Sequence, residues 1–183
     1  METIKGLKRT NYCGELRIED AGKEVTLFGW CQRQRDLGNL IFIDLRDRTG
    51  LVQLSFNDTT DREVFAKAQS VRAEYVVAAV GTVCERESKT NKIATGDIEI
   101  NVKEFRIISK AETPPFEIAK SEKVGDETTL KYRYLNLRNE KLTQNILMRH
   151  KIAKIAREYF YDNDFIEIET PMMIKSTPEG ARD

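Results

Sequence analysis

The stretch Glu24–Phe56, EVTLFGWCQRQRDLGNLIFIDLRDRTGLVQLSF, decides the fold. It reads as three short strands joined by tight connections, and its centre is the run from Leu40 to Arg46. Side chains alternate faces along a strand. Ile41, Ile43 and Leu45 therefore share an apolar face, and Leu40, Phe42, Asp44 and Arg46 share the other. The next strand repeats the pattern, with Val52, Leu54 and Phe56 inward and Leu51, Gln53 and Ser55 outward. Phe42 and Gln53 then lie on one outer surface, which Arg33, Arg35 and Arg48 approach from the connecting segments. An exposed aromatic, an amide and several guanidiniums on a small barrel make a stacking platform for single-stranded nucleic acid. The competing reading is that a loop covers Phe42 and the arginines are ordinary solvated surface, since exposed apolar side chains are common.

Working outward, the first strand spans 24–35 and is apolar on both faces, Val25 and Leu27 on one, Phe28 and Trp30 on the other. Gly29 in its middle predicts a bend or bulge, as a small barrel needs at a corner. Asp36–Asn39 turns the chain, and Thr49 with Gly50 closes a hairpin. Residues 1–23 form a polar lead-in with Leu7, Tyr12 and Leu16 as packing anchors. Capping residues at 57–61 start a helix over 61–72, with Val64, Phe65, Ala68 and Val71 at helical spacing. A fourth strand runs over about 74–84, a polar loop over 85–96, and a fifth strand begins at Asp97 with Ile98, Ile100 and Val102 on one side. Five strands with one helix between the third and fourth match a mainly-β OB-fold barrel, which binds oligonucleotides. Another small barrel or sandwich is the alternative.

Composition limits the function classes. The chain has 183 residues, 40% of them hydrophobic, enough for a real core. Charged residues make up 33%, yet 30 Lys+Arg balance 30 Asp+Glu. Any nucleic-acid binding therefore works through a local patch and not a global field, and a general DNA binder is not expected. Cys13, Cys31 and Cys84 are far apart and His150 is the one histidine, so no zinc motif and no disulfide framework is legible. Reduced thiols in a cytoplasmic setting follow. The first 14 residues lack the apolar core of a signal peptide, no run approaches a membrane span, and neither GxxxxGK nor GxSxG occurs.

Composition shifts after the fifth strand. Lys110–Thr129, with two prolines, a glycine and many charges, reads as a linker. A short helical or irregular segment, LKYRYLNLRNEK, precedes a helix over Leu142–Tyr161. Ile146, Ala153, Ala156 and Phe160 share one side of that helix, and His150 lies beside them as a half-buried packing residue. Phe165, Ile166 and Ile168 then read as a strand ended at Pro171. A helix and one strand present an apolar face with little to cover it. This part is expected to be incomplete, or to complete itself on another chain.

Several of these segments together resemble bacterial-type aspartyl-tRNA synthetases, members of class II: GWCQRQRDLGNLIFIDLRDRTGLVQ, ATGDIEI, KAETPPF, LKYRYLNLR and FIEIETPMMIKSTPEGARD. The likeness runs in order through the whole chain. It implies an anticodon-binding OB domain over 1–109, a hinge over 110–141, and the truncated α/β start of a class II catalytic domain over 142–183. It also implies roles by position. Phe42 matches the aromatic that stacks on an anticodon base, Gln53 a reader of a base edge, and Glu99 the acidic residue at the first anticodon base. Arg35 and Leu37 match contacts to the anticodon loop, and Arg86 and Asn91 lie in the flanking loop. Glu179 matches a loop glutamate near the substrate amino group. Phe165 and Pro171 fall in the motif at the family's dimer interface. The parent enzyme would use ATP and Mg²⁺ to attach aspartate to tRNA and act as a homodimer, with aspartate-specific tRNA as partner; whether asparagine-specific tRNA is a second partner stays open. The fragment alone, lacking the later catalytic motifs, would need no cofactor and be inactive.

The chain departs from the family in three places. Asn163, Asp164 and Phe165 stand where Asn-Gly-Phe is usual, Gln34 stands where arginine is common, and the loop from Arg86 to Thr95 is shorter. Two rival readings stay open, a free-standing OB module that binds RNA, and an interaction role in which 142–173 drives dimerisation.

Overall fold

A computed structural model describes residues 2–173 and Lys175. The chain divides into two compact units, Met1–Pro115 and Phe116–Asp183. The first is a closed barrel. Its strands are β1 (Glu24–Asp36), β2 (Ile41–Arg46), β3 (Leu51–Phe56), β4 (Val76–Glu85) and β5 (Ile98–Ser109), with helix α1 (Arg62–Ser70) between β3 and β4. The order around the barrel is β1-β2-β3-β5-β4, and β4 pairs back to β1. Only β3 and β5 run parallel. This is the five-stranded arrangement expected from the sequence.

The long strand β1 closes the barrel by serving two neighbours. Glu24–Trp30 pairs with β4, and Trp30–Asp36 pairs with β2. The partner changes one residue past Gly29, and the ladder slips between Cys31 and Arg33. So the bulge falls at Gln32, three residues beyond the glycine. Gly29 has its own reason: a Cβ there would overlap the Arg46 carbonyl, and only glycine permits that approach.

The predicted inward residues of β2 and β3 fill the core. Ile41, Ile43, Leu45, Val52, Leu54 and Phe56 are fully buried. Phe56 meets Phe105 edge to face at 5.1 Å. Asp61 caps α1, its Oδ1 accepting from the amides of Glu63 (2.8 Å) and Val64 (3.3 Å). Ala68, Val64 and Phe65 pack that helix on the barrel core. The outward half of the β3 expectation needs correction. Gln53 and Ser55 are buried as well. Ser55 turns its hydroxyl to the Ile100 carbonyl at 3.3 Å, and long side chains from β1 and the β4–β5 loop cover Gln53.

Two carboxylates clasp the lead-in onto the barrel. Asp47 Oδ2 accepts from the Cys13 amide at 2.7 Å, and Oδ1 from the Thr49 amide (2.8 Å) and hydroxyl (2.7 Å). Glu2 accepts from the Ile107 amide and from Lys67 Nζ, both at 2.8 Å. Burial alone would raise both carboxyl pKa values, but these donors outweigh it and hold both below the ordinary carboxylate range. Both groups therefore bind protons less readily folded than unfolded. Their contribution is full above the unfolded pKa and is lost as pH falls through the lower folded values. Asp47→Ala should cost about 2 kcal/mol at neutral pH, because it strands the Cys13 amide. In denaturant titrations the gap to the parent chain should shrink as pH falls toward about 3. A gap that stayed constant across that range would contradict this. Burial also raises the Cys13 thiol pKa, and pushes Cys31 up to about 12, with Asp44 and Glu74 adding to it. Neither thiol is poised to react.

The second unit contains a 3-10 run, Ile118–Lys123, and helices α2 (Asp126–Lys131), α3 (Arg133–Asn136) and α4 (Glu140–Asp162). Asn139 caps α4 and also donates to the Ile118 carbonyl at 3.2 Å, which ties the start of the long helix to the 3-10 run. No α4 residue is buried, and His150 is exposed, not half-buried as its place beside the apolar side suggested. Asp164 adopts φ +64° where a glycine was usual, a conformation Asp tolerates better than most. It lets the Phe165 amide reach the Phe160 carbonyl at 3.0 Å and sets the two rings edge to face at 5.5 Å. The strand expected over 165–170 does not form among the described residues. A strand needs a partner for its backbone groups, and the alternation of Phe165, Ile166 and Ile168 finds none there. No helix among the described residues is long and apolar enough to cross a membrane.

Candidate nucleic-acid interface

Strand register builds the site. Asp44 on β2 stands opposite Gln53 on β3, and Gln53 stands beside Glu99 on β5. Three polar side chains thus line up across three adjacent strands. On the other side of β2, Arg35 of β1 stands opposite Phe42. Its guanidinium carbon lies 5.4 Å from the Phe42 ring centroid, within cation–π range. Arg35 Nη2 donates to Gln53 Oε1 at 2.9 Å and to Asp44 Oδ1 at 3.1 Å. From the opposite side, Arg86 Nη2 donates to the same Gln53 Oε1 at 2.9 Å. The Gln53 amide nitrogen donates to Glu99 Oε2 at 2.8 Å.

This arrangement fixes the Gln53 amide. Its oxygen faces two guanidiniums and its nitrogen faces a carboxylate, so a flip would oppose both contacts. Gln53 is only 3% exposed. Its oxygen is saturated, and one N–H remains for a base edge. The charges of Arg35 and Arg86 balance those of Asp44 and Glu99, so the site selects by hydrogen bonding and stacking more than by bulk attraction. The Arg35 Nε lies buried without a partner among the described residues, as it does where the guanidinium is drawn over Phe42.

The remaining expected residues are placed as follows. Leu37 is exposed at the tip of the β1–β2 turn, closed by its own amide to the Leu40 carbonyl at 2.9 Å. Arg86 begins the β4–β5 loop, its amide bonded to the Asp97 carbonyl at 2.9 Å. Asn91 is exposed on that loop. Arg33 is exposed opposite Asp44. Arg48 does not join Phe42 and Gln53; its guanidinium lies 4.6 Å from the Tyr12 ring centroid. In the second unit, Phe165 and Pro171 are exposed. Glu179 lies outside the described residues. Asp44 was the participant not singled out for the site. Its position opposite Gln53, on the face of Phe42, was the available signal.

Comparison with known proteins agrees with this geometry. Residues 25–108 match the family model described as an OB-fold nucleic acid binding domain. Residues 125–183 match tRNA synthetases class II (D, K and N). The chain is 54% identical over 184 aligned residues to the aspartate–tRNA ligase of Ruminiclostridium cellulolyticum, covering 100% of this chain and 31% of that protein. The aspartate–tRNA(Asp/Asn) ligase of Caldanaerobacter subterraneus gives the same 54% identity and the same coverage, 100% and 31%. The solved aspartyl tRNA synthetase from Entamoeba histolytica matches with a TM-score of 0.83 at 26% identity, over 96% of this chain and 42% of that one. The chain thus spans less than a third of the length of these curated relatives.

Proposed function

We propose that the chain is part of an aspartate–tRNA ligase, on its 54% identity over its whole length to two such enzymes, and that its barrel reads the anticodon loop of tRNA. Phe42 stacks on an unpaired base, and Gln53 and Glu99 read base edges from the floor beside it. Leu37, Arg86 and Asn91 flank the loop from the two turns. Unstacked loop bases are recognised in this way, by stacking and by their exposed edges. The single observation that carries the reading is the Gln53 amide, pinned by Arg35, Arg86 and Glu99, with the same Arg35 guanidinium over the Phe42 ring. A side chain held this firmly, with one donor left over, suits selection of a base acceptor.

At the level of the whole enzyme, the proposal is ATP-dependent attachment of aspartate to tRNA in the cytoplasm, with aspartate-specific tRNA and, by analogy with the Asp/Asn relatives, asparagine-specific tRNA as substrates. A homodimer through the segment holding Phe165 and Pro171, and aspartate binding through Glu179, belong to the same proposal, as does the division into barrel, hinge and catalytic start. ATP and Mg²⁺ are proposed for that whole enzyme only. Among the described residues no cluster of three His, Cys, Asp or Glu side chains is placed to hold a metal ion.

Gln53→Leu tests the reading. The variant should keep its fold by thermal unfolding and still bind an anticodon stem-loop through Phe42. It should lose about tenfold of its preference for the matched anticodon over a changed one, the worth of one good hydrogen bond to a base. A preference that survives the substitution would remove Gln53 as the reader.

A further inference from the structure

A second aromatic–arginine cluster lies outside the site just described. Arg9 and Arg48 each place a guanidinium carbon 4.6 Å from the centroid of the same ring, Tyr12. Arg9 also lies 5.5 Å from the Phe28 ring and donates to the Phe28 carbonyl at 3.2 Å. The two charges are therefore at most twice the ring distance apart, about one Debye length at physiological salt. Neither forms an ion pair among the described residues. The nearby carboxylates are engaged elsewhere: Asp47 holds the Cys13 and Thr49 amides, and Glu15 accepts from the Tyr12 amide at 3.2 Å. Both arginines are exposed. Two like charges are thus held together by stacking, with most of their N–H donors free.

The cluster continues the row that holds the base reader. Outward positions on β2 run Phe42, Asp44, Arg46, and the next in step is Arg48 in the turn. On β1 their neighbours run Arg35, Arg33 and Trp30, and the next outward residue is Phe28. Arg48 lies six positions beyond Phe42, four of them along β2 and two into the turn, a separation of at most roughly 20 Å. A span of that order exceeds the reach of a few splayed bases, and matches instead the backbone of the RNA flanking them.

The geometry points to Arg9 and Arg48 as a clamp for the phosphodiester backbone of the RNA whose loop bases occupy Phe42 and Gln53. This rests on the anticodon-loop reading and adds to it a second, sequence-blind contact. Planar guanidiniums fixed by stacking present paired donors to phosphate oxygens, and phosphate contacts position RNA without reading its sequence.

The test compares the parent chain with Arg9→Ala/Arg48→Ala on two RNAs, an anticodon stem-loop with its stem and a loop-only heptamer. The double variant should bind the stem-loop about tenfold more weakly at low salt, with the slope of log affinity against log salt reduced by about one to two. Its preference between matched and changed anticodons should not move, nor should its heptamer affinity. Arg48→Gln, which leaves the Arg9–Phe28 bond in place, should reduce the slope by about one, and serves if the double variant unfolds. An unchanged slope, or equal losses on both RNAs, overturns the clamp. A parent chain that binds neither RNA refutes the anticodon reading instead.

Discussion

Phe42→Ala should weaken binding to an anticodon stem-loop by about tenfold. Base–aromatic stacking is worth roughly 1–3 kcal/mol per base, and about 1.4 kcal/mol is one decade of affinity. The expected loss sits in the lower half of that range for a structural reason. In the free chain the Phe42 ring is not bare, because the Arg35 guanidinium lies 5.4 Å from its centroid. An incoming base must displace or share that contact, which costs about 0.5–1 kcal/mol at an exposed site. Arg35 is also held by Gln53 and Asp44, so its place in that cluster does not depend on the ring contact alone. The substitution should leave stability nearly unchanged, since Phe42 faces out of the barrel. Titration of labelled stem-loop at fixed salt, with thermal unfolding as control, reads the effect. An affinity equal to that of the parent chain would show that no base stacks there.

The largest stability loss is expected away from the reader. Arg46 Nη2 meets Glu74 Oε2 at 2.7 Å, with the two side chains 16% and 9% exposed. Glu74 sits at φ +63°, and its amide donates to the Cys31 carbonyl at 2.7 Å while Cys31 donates back to Tyr75 at 2.9 Å. The pair thus braces the corner where β1 changes partners. Removing one member of a buried pair costs about 3–5 kcal/mol, because the other charge is left in a poor environment. Arg46→Met should lie near 3 kcal/mol, the low end, since Arg46 retains some solvent contact. Replacing both, Arg46→Met with Glu74→Leu, should recover much of that loss. A double-mutant cycle by denaturant unfolding measures the coupling. Single losses below about 1 kcal/mol that simply add would show the pair to be ordinary surface charge.

These two cases mark what the sequence could and could not reveal. Alternation in β2 was legible because the strand is flanked on both sides and its inner residues are uniformly apolar. Phe42 on the outer face follows from the same count. Gln53 also faces outward, yet it is buried. Period-two patterning says which side of a sheet a residue occupies, but not whether long arginines from 18 and 33 positions away fold over it. The Arg46–Glu74 pair spans 28 positions and has no local signature. Tyr12 could be read as a packing anchor, but its two arginines come from the lead-in and from the β2–β3 turn, joined only by the fold. The apolar alternation at Phe165, Ile166 and Ile168 was legible too, but alternation cannot supply the neighbouring strand. The φ of Asp164 was foreseeable because a glycine commonly occupies that place in the family.

The most direct test of the central claim is the affinity of this chain for an aspartate-tRNA anticodon stem-loop, measured beside the same stem-loop with its anticodon changed, at one fixed salt concentration. The account predicts clear preference for the matched anticodon, tenfold or more, the worth of one good hydrogen bond to a base, about 1.4 kcal/mol. Equal and strongly salt-dependent binding to both would contradict it, leaving the barrel a sequence-blind platform held by charge.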